Sequence, residues 1–134
     1  MDYAVSIHAL PAIRLPDLVP TLQELRRVLK HQGVLRLGLP DLEKGIEAYL
    51  NHDIDYFLVP DEEIVSLGGK LIVQLLWHGY SHSLFTTDFV EELLLKAGFA
   101  KVKICQYRET HSTYPEIVTL DNRERESLFV EAVK

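Results

Sequence analysis

Cysteine, clustered basic residues and long apolar runs are all scarce in this sequence of 134 residues. The one cysteine, Cys105, excludes an intramolecular disulfide and offers no thiolate set for a metal. The longest apolar run, LIVQLLW, is far shorter than the roughly 20 residues of a membrane span. The net charge is −6, and Lys and Arg cluster only in LRRVLK. We therefore expect neither nucleic acid nor a membrane as partner.

We also expect no secretory leader in this sequence. The opening residues MDYAVSIHALPAIR lack a basic start and a cleavage pattern, which predicts a cytoplasmic protein. The composition is 47% hydrophobic and 25% charged, which is ordinary for a globular domain with one core. Cys105 lies in the apolar stretch VKICQY, so we interpret it as a small core side chain.

Glycine is absent before Gly33, and no G-x-G-x-G loop occurs anywhere in the sequence. This matters because the first strand, YAVSI, comes directly after the first two residues. In α/β nucleotide-binding proteins such a strand feeds a glycine-rich turn and a helix. Here it feeds HALPAIRLPDLVP, which contains prolines instead. The opening strand is therefore typical of an interior strand of a larger fold that has become the first one.

Apolar periodicity along the chain predicts a single α/β domain over residues 1–134. A helix capped by Asp17 and ended by Gly33 precedes the strand VLRLGL, and Asp41 can cap a second, short helix. Gly68-Gly69 interrupts before the apolar helix KLIVQLLWHG. An amphipathic helix capped by Thr86 or Thr87 leads to the strands AKVKICQYRE and SLFVEAVK. This order predicts a mostly parallel sheet with helices on both faces, and its last two strands can pair antiparallel.

Several of these stretches together resemble one known family. DYAVSIHAL followed by LPDLVPTLQELRRVLKHQGVLRLGLPDL resembles the second half of class I S-adenosylmethionine-dependent methyltransferases, most like the type 11 group. SLGGKLIVQLLWHGYSHSLFTTDFVEELLLKAGFAKVKI is similar to that family's insert, A-G-F helix and sixth strand. The resemblance implies a truncated domain with a partial Rossmann-like sheet of about four strands. Their family order would be 4-5-7-6, with the last strand antiparallel and the opening strand at an edge.

The resemblance also implies which parts of a methyltransferase this sequence lacks. The family holds its cofactor mainly through a G-x-G-x-G loop and an acidic residue on earlier strands, and neither is found here. S-adenosylmethionine is therefore expected only if another chain supplies that half, and no cofactor is expected for the isolated chain. Pro11, Ala12 and Ile13 stand where the family commonly has E-H-I, which puts catalysis there in doubt.

The candidate site residues come partly from this resemblance. It implies that His8, Ala9 and Leu10 line the cofactor edge, although local backbone can also satisfy a histidine there. Asp41 either faces the same cleft or only caps its helix. Three further candidates for a substrate cleft are His78, His82 and Tyr114. The spacing of His78 and His82 suits a metal on a helix, but no third ligand is placed, so we predict no metal site.

Three functions remain open at this point. The first is a methyltransferase-like protein without methyl transfer of its own, which acts through self-association or a partner. The second is one part of a split methyltransferase, and the third is a small-molecule-binding domain. An uncharged edge strand invites pairing, so we expect a homodimer through the first strand or by exchange of segments. The run DNRERE is interpreted as a solvated turn with a structural ion pair of Arg123 to an acid. The catalytic residues and the methyl acceptor are not assigned.

Overall fold

A four-stranded sheet organises the computed structural model, which describes residues 1–134. Its strands are β1 (Tyr3–Ile7), β2 (Val34–Pro40), β3 (Lys101–Cys105) and β4 (Ser127–Val133). They lie in the order β1-β2-β4-β3, with β1 parallel to β2 and β4 antiparallel to both of its neighbours. The predicted order, the antiparallel last strand and the edge position of the opening strand are therefore confirmed.

Four α-helices connect the strands: α1 (Leu15–Val28), α2 (Leu42–Leu50), α3 (Leu67–Leu76) and α4 (Thr87–Lys96). Asp41 caps α2 by accepting a hydrogen bond from the backbone N–H of Glu43, and Thr86 caps α4. No helix combines the length and the apolarity that crossing a bilayer requires.

Two helix starts differ from the predictions. Asp17 lies in the first turn of α1 and not at its cap, because Pro16 already sets a helical φ near the start and Arg14 takes the cap position. Gly68 and Gly69 do not interrupt α3 but form its first turn, where Ser66 accepts from the N–H of Gly69. A Cβ on Gly69 would lie 2.5 Å from a methyl carbon of Ile64, so this turn needs the glycine.

One face of the sheet holds the main core. Alternation along β2 and β4 directs one set of apolar residues toward α1 and α4, which cover this face. The fully or nearly fully buried members on these elements are Leu18, Leu22, Leu35, Leu37, Leu39, Val90, Leu94, Leu128, Val130 and Ala132. Their burial fixes the register of the two central strands, because a slip of one residue would expose them all.

The other face is covered by the connection 106–126, whose helical parts are the 3₁₀ turns Pro115–Val118 and Glu124–Glu126. Arg36 of β2 lies under this connection with no exposed surface. Its guanidinium donates to Asp121 at 2.9 and 2.5 Å and to Glu131 at 2.8 Å. It also donates to the carbonyls of Gln106 at 3.3 Å and Glu109 at 2.9 Å. All five N–H donors of the side chain are thus satisfied, which ties the connection to the sheet.

Candidate binding pocket

A pocket opens where β1 and β2 end and β4 begins. Its empty volume is about 640 Å³ including the open mouth. The carboxyl ends of strands are where open α/β sheets hold ligands, because the chain must leave the sheet there in loops. The polar lining residues are His8, Asp41, Gln74, Ser81, Arg123 and Glu126, and the aromatic ones are Tyr56, Phe57, Trp77 and Tyr80.

His8 follows β1 directly and has a left-handed backbone with φ of 55°. Its N–H donates to the carbonyl of Gly38 at 2.8 Å, and its ring Nε2 lies 2.9 Å from the hydroxyl of Ser127. The other ring nitrogen, Nδ1, is buried without a partner. Burial, and secondarily the charge of Arg123, lowers the pKa of His8 to about 4. The imidazole is therefore neutral at pH 7.

Glu126 is, with Asp41, one of two acids in the pocket lining, and its side chain is 12% exposed. Its Oε2 accepts from Gln74 Nε2 at 3.1 Å, and its Oε1 lies 3.6 Å from Arg123 Nε. Desolvation raises the pKa of Glu126, while Arg123 opposes that effect. The guanidinium of Arg123 in turn lies over the ring of Trp77, 4.5 Å from its centroid. An acid, a cation and an aromatic face therefore meet at one wall.

Tyr56 and Trp77 form the aromatic part of the pocket. Burial, followed by the charges of Glu126 and Asp41, raises the pKa of Tyr56 to about 12, so its hydroxyl stays protonated at neutral pH. Trp77 ends α3 in a left-handed conformation with φ of 49°, and His78 follows with φ of 55°. This pair of left-handed residues is uncommon, and it turns the chain sharply at the pocket wall.

The structure brings together two of the predicted site residues, His8 and Asp41, and leaves the others outside the pocket lining. Ala9 is exposed, and Leu10 is part of the main core. His78 is exposed and pairs with Glu63 at 3.0 Å, and His82 is exposed as well. No group of three His, Cys, Asp or Glu side chains lies close enough to hold a metal ion.

Tyr114 lies on the sheet face opposite the main core. Its ring packs against that of Tyr3 with centroids 5.2 Å apart, and it does not reach the pocket. The ion pair expected for Arg123 is present, with Glu126 as the acid.

Most of the 15 lining residues are not among the predicted site residues, and the ones that carry the pocket's chemistry are Tyr56, Gln74, Trp77, Arg123 and Glu126. Gln74 was the one residue whose position in the sequence could have indicated a buried polar site, because it is the only polar residue inside the apolar run LIVQLLW. A polar side chain in such a run is buried only with a partner, and Gln74 has two, Glu126 and the N–H of Leu58.

No protein-family model and no curated protein matches this sequence. Solved structures do match it. A SAM-dependent methyltransferase of Thermotoga maritima, described as a possible histamine N-methyltransferase, aligns with a TM-score of 0.57 and 22% identity. The alignment covers 99% of this chain and 56% of the Thermotoga maritima protein. The chain has a methyltransferase-like fold.

Two other structures with this methyltransferase-like fold match over essentially the whole chain. A SAM-dependent methyltransferase of Archaeoglobus fulgidus aligns with a TM-score of 0.57 and 11% identity over 100% of this chain and 59% of its own. A putative O-methyltransferase of Nostoc punctiforme aligns with a TM-score of 0.51 and 14% identity over 99% of this chain and 31% of its own. The chain therefore spans between 31% and 59% of the length of these three methyltransferases.

Proposed function

We propose that this methyltransferase-like chain does not transfer methyl groups by itself and acts by associating with a second copy along the edge of β1. The observation that carries this proposal is the state of that edge. β1 pairs with β2 on one side only and has no strand on the other. An open, uncharged sheet edge is a template for a strand from another chain.

The backbone groups of β1 alternate between β2 and the open edge. The carbonyl of Asp2 accepts from Val34, and the N–H of His8 donates to Gly38, so the even-numbered residues bond to β2. In a parallel ladder the intervening residues then direct their N–H and C=O groups away from the partner strand. On this pattern Tyr3, Val5 and Ile7 offer their backbone groups to the open edge.

The opposite edge of the sheet is protected in a way that β1 is not. β3 carries two exposed lysines, Lys101 and Lys103, and lysine on an edge strand opposes pairing with another chain. β1, with the sequence YAVSI, has no charged residue. This asymmetry favours β1 over β3 as the associating edge.

The lack of a glycine-rich loop in these residues supports inactivity of the chain by itself. A glycine-rich loop lets a backbone approach a nucleotide-like cofactor closely, and these 134 residues contain no G-x-G-x-G. The pocket lining has a neutral imidazole, two acids and Arg123, and its one glycine, Gly45, lies in α2 and not in a glycine-rich loop.

One further observation favours a split methyltransferase as the second candidate. β1 ends at Ile7, directly before His8, which lines the pocket, so a parallel strand added by another chain would end beside the same pocket. In that arrangement the partner would supply the S-adenosylmethionine site and this chain the acceptor pocket. His8 would be the first base to examine, because its imidazole lines the pocket and is unprotonated, although the low pKa makes it a weak base near neutral pH.

The test of association uses a substitution at the open edge. Val5→Pro removes an outward N–H without removing a bond to β2, and proline is tolerated on edge strands in that orientation. We expect light scattering at micromolar concentration to give a dimer for the parent chain and a folded monomer for V5P. Ala4→Pro is the matched control, because it removes a bond to β2 and should lower the melting temperature. A compact monomeric parent contradicts the proposal, as does a dimer that V5P leaves intact.

The test of inactivity is calorimetric titration with S-adenosylmethionine. We expect no saturable heat with this chain alone. Saturable binding by the isolated chain would contradict the first candidate, and binding that requires a second, different chain would favour the split enzyme.

A further inference from the structure

The charges that line the pocket leave it net negative. Asp41 and Glu126 are acidic, and Arg123 is the one cation in the lining. Arg125 lies beyond Tyr56, where it pairs with Asp53 at 3.2 Å. His8 and Tyr56 add no charge near neutral pH. Within a partly desolvated pocket an uncompensated acid attracts a cation more strongly than it does in water.

Arg123 shows that this wall of the pocket can hold a cation. Its guanidinium lies between the face of Trp77 and the carboxylate of Glu126, which is the environment that favours a cation over an aromatic ring. The arrangement is displaceable, because the Arg123 side chain keeps 39% of its surface exposed and its contact with Glu126 is 3.6 Å. A separation of 3.6 Å is too long for a hydrogen bond, so an incoming ammonium displaces a weak contact.

Glu126 is held ready for such a cation. Gln74 donates to one carboxylate oxygen at 3.1 Å and is itself fixed by accepting from the N–H of Leu58 at 2.6 Å. The Glu126 side chain is only 12% exposed, so water solvates its carboxylate only in part. Its position is therefore set by the fold and not by Arg123.

We propose that the pocket binds a small aromatic or alicyclic amine whose ammonium group replaces the Arg123 guanidinium between Trp77 and Glu126. The ring of the amine packs against the apolar wall formed by Phe57, Leu71 and Leu75. This inference rests on the second candidate function, the split methyltransferase in which this pocket is the acceptor site, and it names the class of acceptor. The rival occupant is an organic anion that Arg123 would hold, and the two acids of the lining oppose it.

The test uses the fluorescence of Trp77, which is the one tryptophan of the chain and lies in the pocket wall. The probes are phenethylamine, its neutral analogue 2-phenylethanol, and the anion phenylacetate, each titrated at pH 7 without S-adenosylmethionine. We expect the amine to bind at least about tenfold more tightly than the alcohol, which is the worth of one charge-assisted contact.

Variants of the wall provide the second arm. Glu126→Gln should weaken the amine about tenfold and leave the alcohol unchanged, whereas Glu124→Gln, which does not line this pocket, should change neither. Arg123→Met removes the competing cation and should strengthen amine binding severalfold. Circular dichroism checks that each variant is folded.

Three results overturn the inference: equal affinity for the amine and the alcohol, no fluorescence change with any probe, or tighter binding of phenylacetate that R123M abolishes. Each can be told apart from failure of the proposed association. Binding is measured on one chain without cofactor, so a monomeric protein can still bind the amine and a dimer can fail to do so.

Discussion

Arg36 offers the sharpest test of how this fold is held together, and Arg36→Met is the substitution. The change removes a cation that is fully buried and leaves Asp121 and Glu131 facing each other without compensation. Removing one partner of a buried ion pair costs about 3–5 kcal/mol of the free energy of unfolding. That is a large share of the about 5–15 kcal/mol that a domain usually has.

The magnitude converts directly into a urea midpoint. With a slope of about 2 kcal/mol per molar urea, a loss of about 4 kcal/mol lowers the midpoint by about 2 M. Arg36→Lys keeps the charge but has three donors in place of five, so its midpoint should lie between those of the parent and R36M. The measurement is urea unfolding followed by far-UV circular dichroism.

The matched control for R36M is Arg27→Met. Arg27 also pairs with an acid, Glu24, at 2.6 Å, but both side chains lie in solvent, with 69% and 63% of their surfaces exposed. Exposed pairs contribute little, so this midpoint should stay where it is in the parent. If R36M shifts the midpoint no further than R27M does, Arg36 is not the tie between the sheet and the connection 106–126.

Two predictions concern titrating groups. Because the pKa of His8 falls to about 4 on folding from an ordinary 6.5, the unfolded chain binds more protons between these values. Stability is therefore full above pH 6.5 and decreases toward pH 4, by about 1–2 kcal/mol once partial exposure is allowed for. The test is the melting temperature as a function of pH for the parent and for His8→Asn, since asparagine tolerates positive φ. The melting temperature of the variant should depend less on pH, and parallel profiles would refute the prediction. Burial, followed by Glu131, raises the pKa of the Cys105 thiol to about 11. An aromatic disulfide reagent at pH 8 should therefore label it only on unfolding, and rapid labelling of the native chain would refute its burial.

The strand order was predictable because local signals carry it. Apolar alternation in VLRLGL and SLFVEAVK marks the two central strands, and the resemblance supplied their order. The helix caps at Asp41 and Thr86 were readable for the same reason, since a cap depends on residues within one turn.

The network beneath the second face could not be predicted in that way. Arg36 alternates with leucines, and such an arginine normally predicts a solvent-facing position. Its partners Asp121 and Glu131 lie 85 and 95 positions away in sequence. The pocket wall has the same origin, because Gln74 and Glu126 are 52 positions apart and meet only through tertiary packing. His78 and Tyr114, which the sequence predicts for a substrate cleft, lie outside the pocket, where His78 pairs with Glu63 and Tyr114 packs against Tyr3.

The central position of β4 has a consequence for synthesis of the protein. This strand is the last of the four along the chain, yet β2 and β3 are joined in the sheet only through it. Until the ribosome has released Ser127–Val133, the earlier strands have an empty slot between them, and Ser127 is not yet available to His8, 119 positions upstream. Assembly of the sheet is therefore postponed until β4 has been synthesised, and the nascent chain depends on its helices, or on a chaperone, to shield the leucines of β2 in the meantime.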